Sequence, residues 1–357
     1  MGNTVKNNNG KIKEYDILRV LVTFFVIISH CGYIYISTDY GGCDYNEYAE
    51  NLSLVYKLFR FVVAALYSFH MPLFMALSGA LYYRSSQNPK YDSFGYLFSA
   101  KFKRLIIPFL VVTCLYSFPL KYASGYFSES ENVWKDFGIG QLLLQGNSHL
   151  WYVAALFFIF IFVYWCEKII KDKRVLKLII FFVLFMLSKR ISIQIISYIF
   201  NYSLWFYCGF MFEPIRTRFN KLVNLRNTII SVFVFGAAFI VNMKFMKKIE
   251  YISDLYSVIV ALCGMVMTYN ICYVLSGTNI TDTKLFNFFA RDSFGMYLYS
   301  DPLNYVILAI GVSAFGSSLF SDNLGSVAII GSRFIITTLS SLVVTELLRK
   351  LKLKYLV

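Results

Sequence analysis

The chain has 357 residues, of which 58% are hydrophobic, 19% aromatic and only 15% charged. Soluble domains carry about 25% charged residues, so this composition excludes an ordinary soluble enzyme and predicts an all-α polytopic membrane protein. The net charge of +14 would suit a nucleic-acid partner, yet the basic residues fall in short loops between apolar runs, so membrane lipid rather than nucleic acid is expected.

Residues 1–16 are polar and read as a short cytoplasmic tail, with no small-residue cleavage site after the first apolar run and no myristoylation motif. Ten apolar segments then approach the ~20 helical residues needed to cross a hydrocarbon core. They lie at about 17–36, 60–83, 104–122, 149–166, 174–188, 191–212, 228–246, 255–275, 293–315 and 327–348. The expected organisation is therefore a transmembrane domain over 17–348 and a basic cytoplasmic tail over 349–357. The boundary at Lys189-Arg190 is the least defined. With the N-terminus inside, the inner segments hold 24 of the 34 Lys and Arg, which predicts that both termini are cytoplasmic. Lys244, Lys247 and Lys248 run against that trend. The outer stretches 37–56 and 119–148 are acidic and aromatic, with Asp39, Asp44, Glu47, Glu50, Glu129, Glu131 and Asp136. The seven cysteines show no Cys-x-x-Cys pair or metal spacing, so neither a disulfide nor a metal site is expected.

The first segment, Asp16-Ile-Leu-Arg19 through His30, combines strong apolar character with three ionisable groups. Charged groups at the centre of a membrane helix cost about 2.5–3.5 kcal/mol each on insertion scales, so they face protein or water and mark function. Eleven residues at about 100° each bring His30 back over Arg19, some ~16 Å further along one face, with Asp16 on the same stripe. Arg19 can receive an anion or pair with Asp16, and a desolvated His30 suits proton acceptance from a hydroxyl or thiol. His70, in Ser68-Phe-His70-Met-Pro72, lies at similar depth in the second segment, and Pro72 is expected to kink that helix. The plain alternative, neutral imidazoles bonding between helices, is weighed down by the alignment of His30 with Arg19 and Asp16. His149, beside Trp151 at an outer mouth, reads as an interfacial residue of the aromatic belt.

The order of these motifs resembles the acyltransferase 3 family of membrane acyltransferases, especially its sugar O-acetylating branch. Arg19-x10-His30 is similar to the family's opening signature, and Phe69-His70-Met71-Pro72-Leu73-Phe74 with Ser78-Gly79 to its second-helix pattern. Lys101-Phe-Lys103-Arg104, leading to Pro108, resembles a basic run usually written Arg-x-x-Arg, with Lys101 in place of the first Arg. Leu150-Trp151-Tyr152 and Ser293-x3-Tyr297-Leu298 resemble later motifs. Ser300 stands where the family commonly has a His, so that residue's role does not carry over. Asp301 next to it offers a polar group, with Arg333 of the last segment as its partner in a buried structural pair.

The resemblance implies an O-acyltransferase of the plasma membrane that modifies a cell-envelope polysaccharide or other glycan. Acetyl-CoA or another acyl-CoA would be the cytoplasmic donor, with no resident cofactor. The donor's phosphates would meet Arg19, Lys101, Lys103 and Arg104, and His30 with His70 would act as base. Asp16, Ser78, Trp151, Tyr297, Asp301 and Arg333 would support them. The rival reading is a transporter or flippase using the same buried polar residues, against which stands the lack of a duplication between the two halves.

Overall fold

The computed structural model describes residues 11–34, 36–38, 41–43, 51–245 and 250–357. Residues 1–10 of the tail, Asp39, Asp44, Glu47 and Glu50 of the first outer stretch, and Lys247 and Lys248 lie outside the described residues. Every one of the predicted segments is helical. Helix α1 covers Lys13–His30, and the second segment holds α2 (Leu54–Tyr67) and α3 (His70–Ser86). Next come α4 (Phe94–Ala123), α5 (Trp151–Ile170), α6 (Arg174–Ser188) and α7 (Gln194–Phe212). The chain closes with α8 (Leu225–Lys244), α9 (Glu250–Ser276), α10 (Lys284–Phe315) and α11 (Asn323–Lys350). Among the described residues, 8 helical spans are long and apolar enough to cross a membrane. Helix α1 falls outside that set because Lys13, Glu14, Asp16 and Arg19 crowd its start, and α6 because it has only 15 residues. The stretch after α1, read as a loop, contains a short antiparallel ladder of β1 (Ile36–Thr38) and β2 (Gly41–Cys43), with Ile36 opposite Cys43.

The helix starts follow local chemistry. Ser53, Asn224, Thr283 and Asp322 precede α2, α8, α10 and α11, and each side chain accepts the backbone N–H three residues on. Such caps satisfy one of the four donors that a helix N-terminus leaves unpaired. Proline shapes the interior. In α4 the π-helical turns Phe102–Ile106 and Thr113–Ser117 each lead into a helical stretch with Pro108 or Pro119 at its second position. A proline lacks the N–H and clashes with the carbonyl four residues earlier, so the preceding turn widens. The second segment behaves differently from expectation. It breaks at Ser68-Phe69, and Pro72 is the third residue of α3, where its missing N–H forfeits no helical bond.

Helix α1 packs against α3, α9, α10 and α11, and two close approaches join α3 to α7. At the α3–α7 crossing, a Cβ on Gly209 would lie 1.8 Å from the Ala76 carbonyl oxygen, and one on Gly79 1.8 Å from that of Phe206. Only glycine permits that contact. The first segment also ends sooner than its hydropathy predicts, at His30 rather than residue 36. The cause is Arg333 of α11, fully buried, whose guanidinium donates to the carbonyls of His30 (2.8 Å), Cys31 (2.8 Å) and Tyr33 (2.6 Å). The His30 and Cys31 carbonyls are among the acceptors that the C-terminus of α1 leaves unpaired, and a cation there also complements the helix dipole. His30 is therefore the last residue of its helix rather than an interior one.

Candidate active site

Asp301 is the centre of the site. It is fully buried on α10, with Oδ1 2.8 Å from His30 Nδ1 and Oδ2 3.4 Å from His149 Nδ1. Neither contact has the alignment of a formed hydrogen bond. The expected pairing of Asp301 with Arg333 is not what forms. Arg333 commits its donors to the end of α1 and, through Nε, to Asn304 Oδ1 at 3.1 Å, while Asp301 faces the two imidazoles. The sequence could not show that a side chain of α11 takes the carbonyls at the end of α1.

Three devices bring His149 to the carboxylate, and all contradict its assignment to an interfacial belt. First, Pro302 sits inside α10 and has no N–H for the Leu298 carbonyl four residues earlier. That freed carbonyl accepts from His149 Nε2 at 3.1 Å. Because a carbonyl only accepts, Nε2 carries a proton, and Nδ1 is the nitrogen turned to Asp301. Second, the Tyr297 hydroxyl donates to the His149 carbonyl. Third, the chain turns through left-handed Gly146 (φ 72°) and Asn147 (φ 55°) just before it. His149 is 5% exposed, buried in protein rather than displayed at an interface.

His30 is 8% exposed and stacks on Tyr33 at 5.5 Å between ring centroids; Tyr33 in turn stacks on Tyr305 at 6.3 Å. With Nδ1 beside Asp301, its Nε2 is the nitrogen left for a substrate. This is the division of labour of a base whose other nitrogen is oriented by a carboxylate. His70 is not drawn to Asp301. Its Nδ1 donates back to the Leu66 carbonyl at 2.7 Å across the α2–α3 break, and its ring meets Tyr67 at 5.0 Å. It remains within electrostatic reach of His30.

The cationic end is built around Arg19, which pairs with Asp16 at 2.9 Å as the spacing predicted and also donates to the Ala290 carbonyl at 3.2 Å. The Arg19 side chain is 34% exposed, so it is open to a further partner. Arg104 is exposed and within electrostatic reach of both Arg19 and Tyr152. Lys103 is exposed as well. Lys101 is within electrostatic reach of Arg104, with its ammonium 3.8 Å from the centre of the Phe160 ring. Ser78 Oγ and the Tyr152 hydroxyl are 2.8 Å apart, and Tyr152 stacks on Phe74 at 4.7 Å and meets Tyr297 edge-on at 5.6 Å. Residues from five predicted motifs thus form one track from Arg19 and Arg104, past Ser78, Tyr152 and Tyr297, to His149, Asp301 and His30. Trp151 turns away from it, against Tyr198 (4.3 Å) and Tyr202 (4.7 Å).

Reading the sequence alone missed His149 and Asn304. One signal was present: Leu298 and Pro302 are four residues apart, so a helix there must release a buried carbonyl in need of a donor. Compared with known families, the chain matches the acyltransferase domain model over residues 12–346. No curated protein and no solved structure matches it.

Proposed function

We propose, from the premise that this chain belongs to the acyltransferase 3 family of membrane acyltransferases, that it is an O-acyltransferase of the plasma membrane. In this reading it moves an acetyl group from cytoplasmic acetyl-CoA to a hydroxyl of a cell-envelope carbohydrate. The observation that carries the mechanism is the Asp301 carboxylate beside His30 Nδ1.

Arg19 and Arg104 receive the donor's phosphates, Arg through the paired N–H geometry suited to phosphate oxygens. The thioester arm runs along Tyr152, Ser78 and Tyr297 to His30. Asp301 holds the Nδ1 proton of His30, so Nε2 takes the proton of the acceptor hydroxyl while that oxygen attacks the thioester carbonyl. The carbonyl re-forms as the carbon–sulfur bond breaks, the departing sulfur takes the proton from His30, and the products are an ester and free CoA. His149 faces the other carboxylate oxygen, so that Asp301 stands between the two imidazoles.

The test is the ester-linked acetyl content of envelope glycan from cells with and without the protein. Loss of acetyl in the deletion, restored by the wild-type chain and not by His30→Ala at equal membrane abundance, is the expected result. Unchanged acetyl content together with altered export of the glycan would replace this reading with a transport function.

A further inference from the structure

One buried cation has no place in that mechanism. Lys121, near the end of α4, is fully buried, and the described contacts of its ammonium are to neutral oxygens and aromatic faces. It donates to Gln141 Oε1 at 3.0 Å and to Asn147 Oδ1 at 2.7 Å, and lies 4.7 Å from the centre of the Tyr126 ring. Both amides are buried too. Asn147 is fastened further: its Nδ2 donates to Thr113 Oγ1 at 2.9 Å, its N–H to the Gln141 carbonyl at 2.7 Å, and its carbonyl accepts from the Leu150 N–H at 3.1 Å. Asn147 is also one of the few non-glycine residues in the left-handed region, and His149 follows two residues later.

Burying an ammonium is expensive unless its donors are satisfied and it does something for the fold. Here its position is specific. We propose that Lys121 is a positioning residue: by gripping the Gln141 and Asn147 side chains from α4 it fixes the left-handed turn that sets His149 against Asp301. The arrangement mirrors Arg333, which grips the backbone at the end of α1 and so places His30. Each histidine beside Asp301 thus has its own buried cation holding the chain segment that delivers it. Lys121 also lies within electrostatic reach of Asp301 itself. The claim rests on the acyltransferase reading only for its effect on turnover.

The chain contains just 3 histidines, which makes the placement directly observable. Protein labelled with 15N-histidine and reconstituted in lipid nanodiscs gives three imidazole signals, assigned by single His→Gln variants. Lys121→Met is expected to move the His149 resonances and leave those of His70 in place, with Lys121→Arg restoring most of the wild-type spectrum. Asn147→Ala and Gln141→Leu, which cut the same grip from its other end, should move His149 as well and carry the test if Lys121→Met does not accumulate. With [14C]acetyl-CoA as donor and glycan from deletion cells as acceptor, turnover should fall about 10- to 100-fold at unchanged donor KM, the loss of one to two strong buried hydrogen bonds. An unmoved His149 in folded variants, all three histidines moving together, or a moved His149 with turnover intact would each overturn the proposal. A wild-type chain that transfers no acetyl, with His149 still moved by Lys121→Met, would instead refute the acyltransferase reading and leave the positioning in place.

Discussion

His30 and His149 reach the same carboxylate by different routes. His30 is the terminal residue of an 18-residue helix, and its direction follows from helical periodicity once the helix end is fixed. His149 lies in a short turn, and its direction depends on contacts with α4 and α10, remote in sequence. A residue carried by a helix is placed by many weak local constraints. One carried by a turn is placed by a few strong distant ones. Single substitutions far from the site should therefore displace His149 while leaving His30 in position, except where they strike Arg333.

The largest effect is expected at the shared centre. Asp301→Asn keeps the shape but no longer orients or charge-stabilises either imidazole, and should lower acetyl transfer by about 10²–10⁴-fold, the usual reach of general base catalysis. Radiolabel transfer from acetyl-CoA at matched membrane abundance measures it. Arg333→Met comes next and attacks the His30 side of the comparison. It strips the carbonyls of His30 and Cys31 of their donor and leaves Tyr33 only the Tyr56 hydroxyl, at about 1–3 kcal/mol for each group left unpaired, so thermal stability in detergent should drop along with activity. An Arg333→Met protein as stable as wild type would mean that the end of α1 needs no clasp.

His149→Gln tests the other side. It keeps a donor for the Leu298 carbonyl but removes the ring nitrogen facing Asp301, and should cost about 10- to 100-fold in turnover with stability unchanged. A loss as large as that of His30→Ala would make the two imidazoles equal partners and erase the distinction drawn above. The smallest effect is expected from Pro302→Ala. The restored N–H competes with His149 for the Leu298 carbonyl, so turnover should fall by a few-fold, about 1 kcal/mol of hydrogen bonding, with donor KM unchanged.

The difference between the two histidines also explains what could be read from the sequence. The helical segments were legible because an apolar run of the right length has one cheap conformation in lipid, with every backbone group bonded within itself. The Asp16–Arg19 pair was legible because i,i+3 neighbours meet on any helix. The end of α1 was not, since nothing in Cys31-Gly-Tyr33 announces that a guanidinium from α11 will take its carbonyls. For the same reason the sequence points Arg333 at the buried charge of Asp301, when its partners are backbone oxygens and the Asn304 side chain. The charge of Lys101 beside Arg104 is visible in sequence, whereas the Phe160 ring beneath its ammonium is not. His149 was hidden most deeply, because a left-handed turn and a proline-released carbonyl acquire meaning only when brought together.

The claim that the His30–Asp301 pair is the reacting centre is tested most directly in a reconstituted system. Purified protein in lipid vesicles would receive [14C]acetyl-CoA and glycan from deletion cells. The wild-type chain should label the glycan, and His30→Ala and Asp301→Asn, at equal abundance and with intact thermal unfolding, should leave it unlabelled. Label transferred at the wild-type rate by either variant would contradict the account.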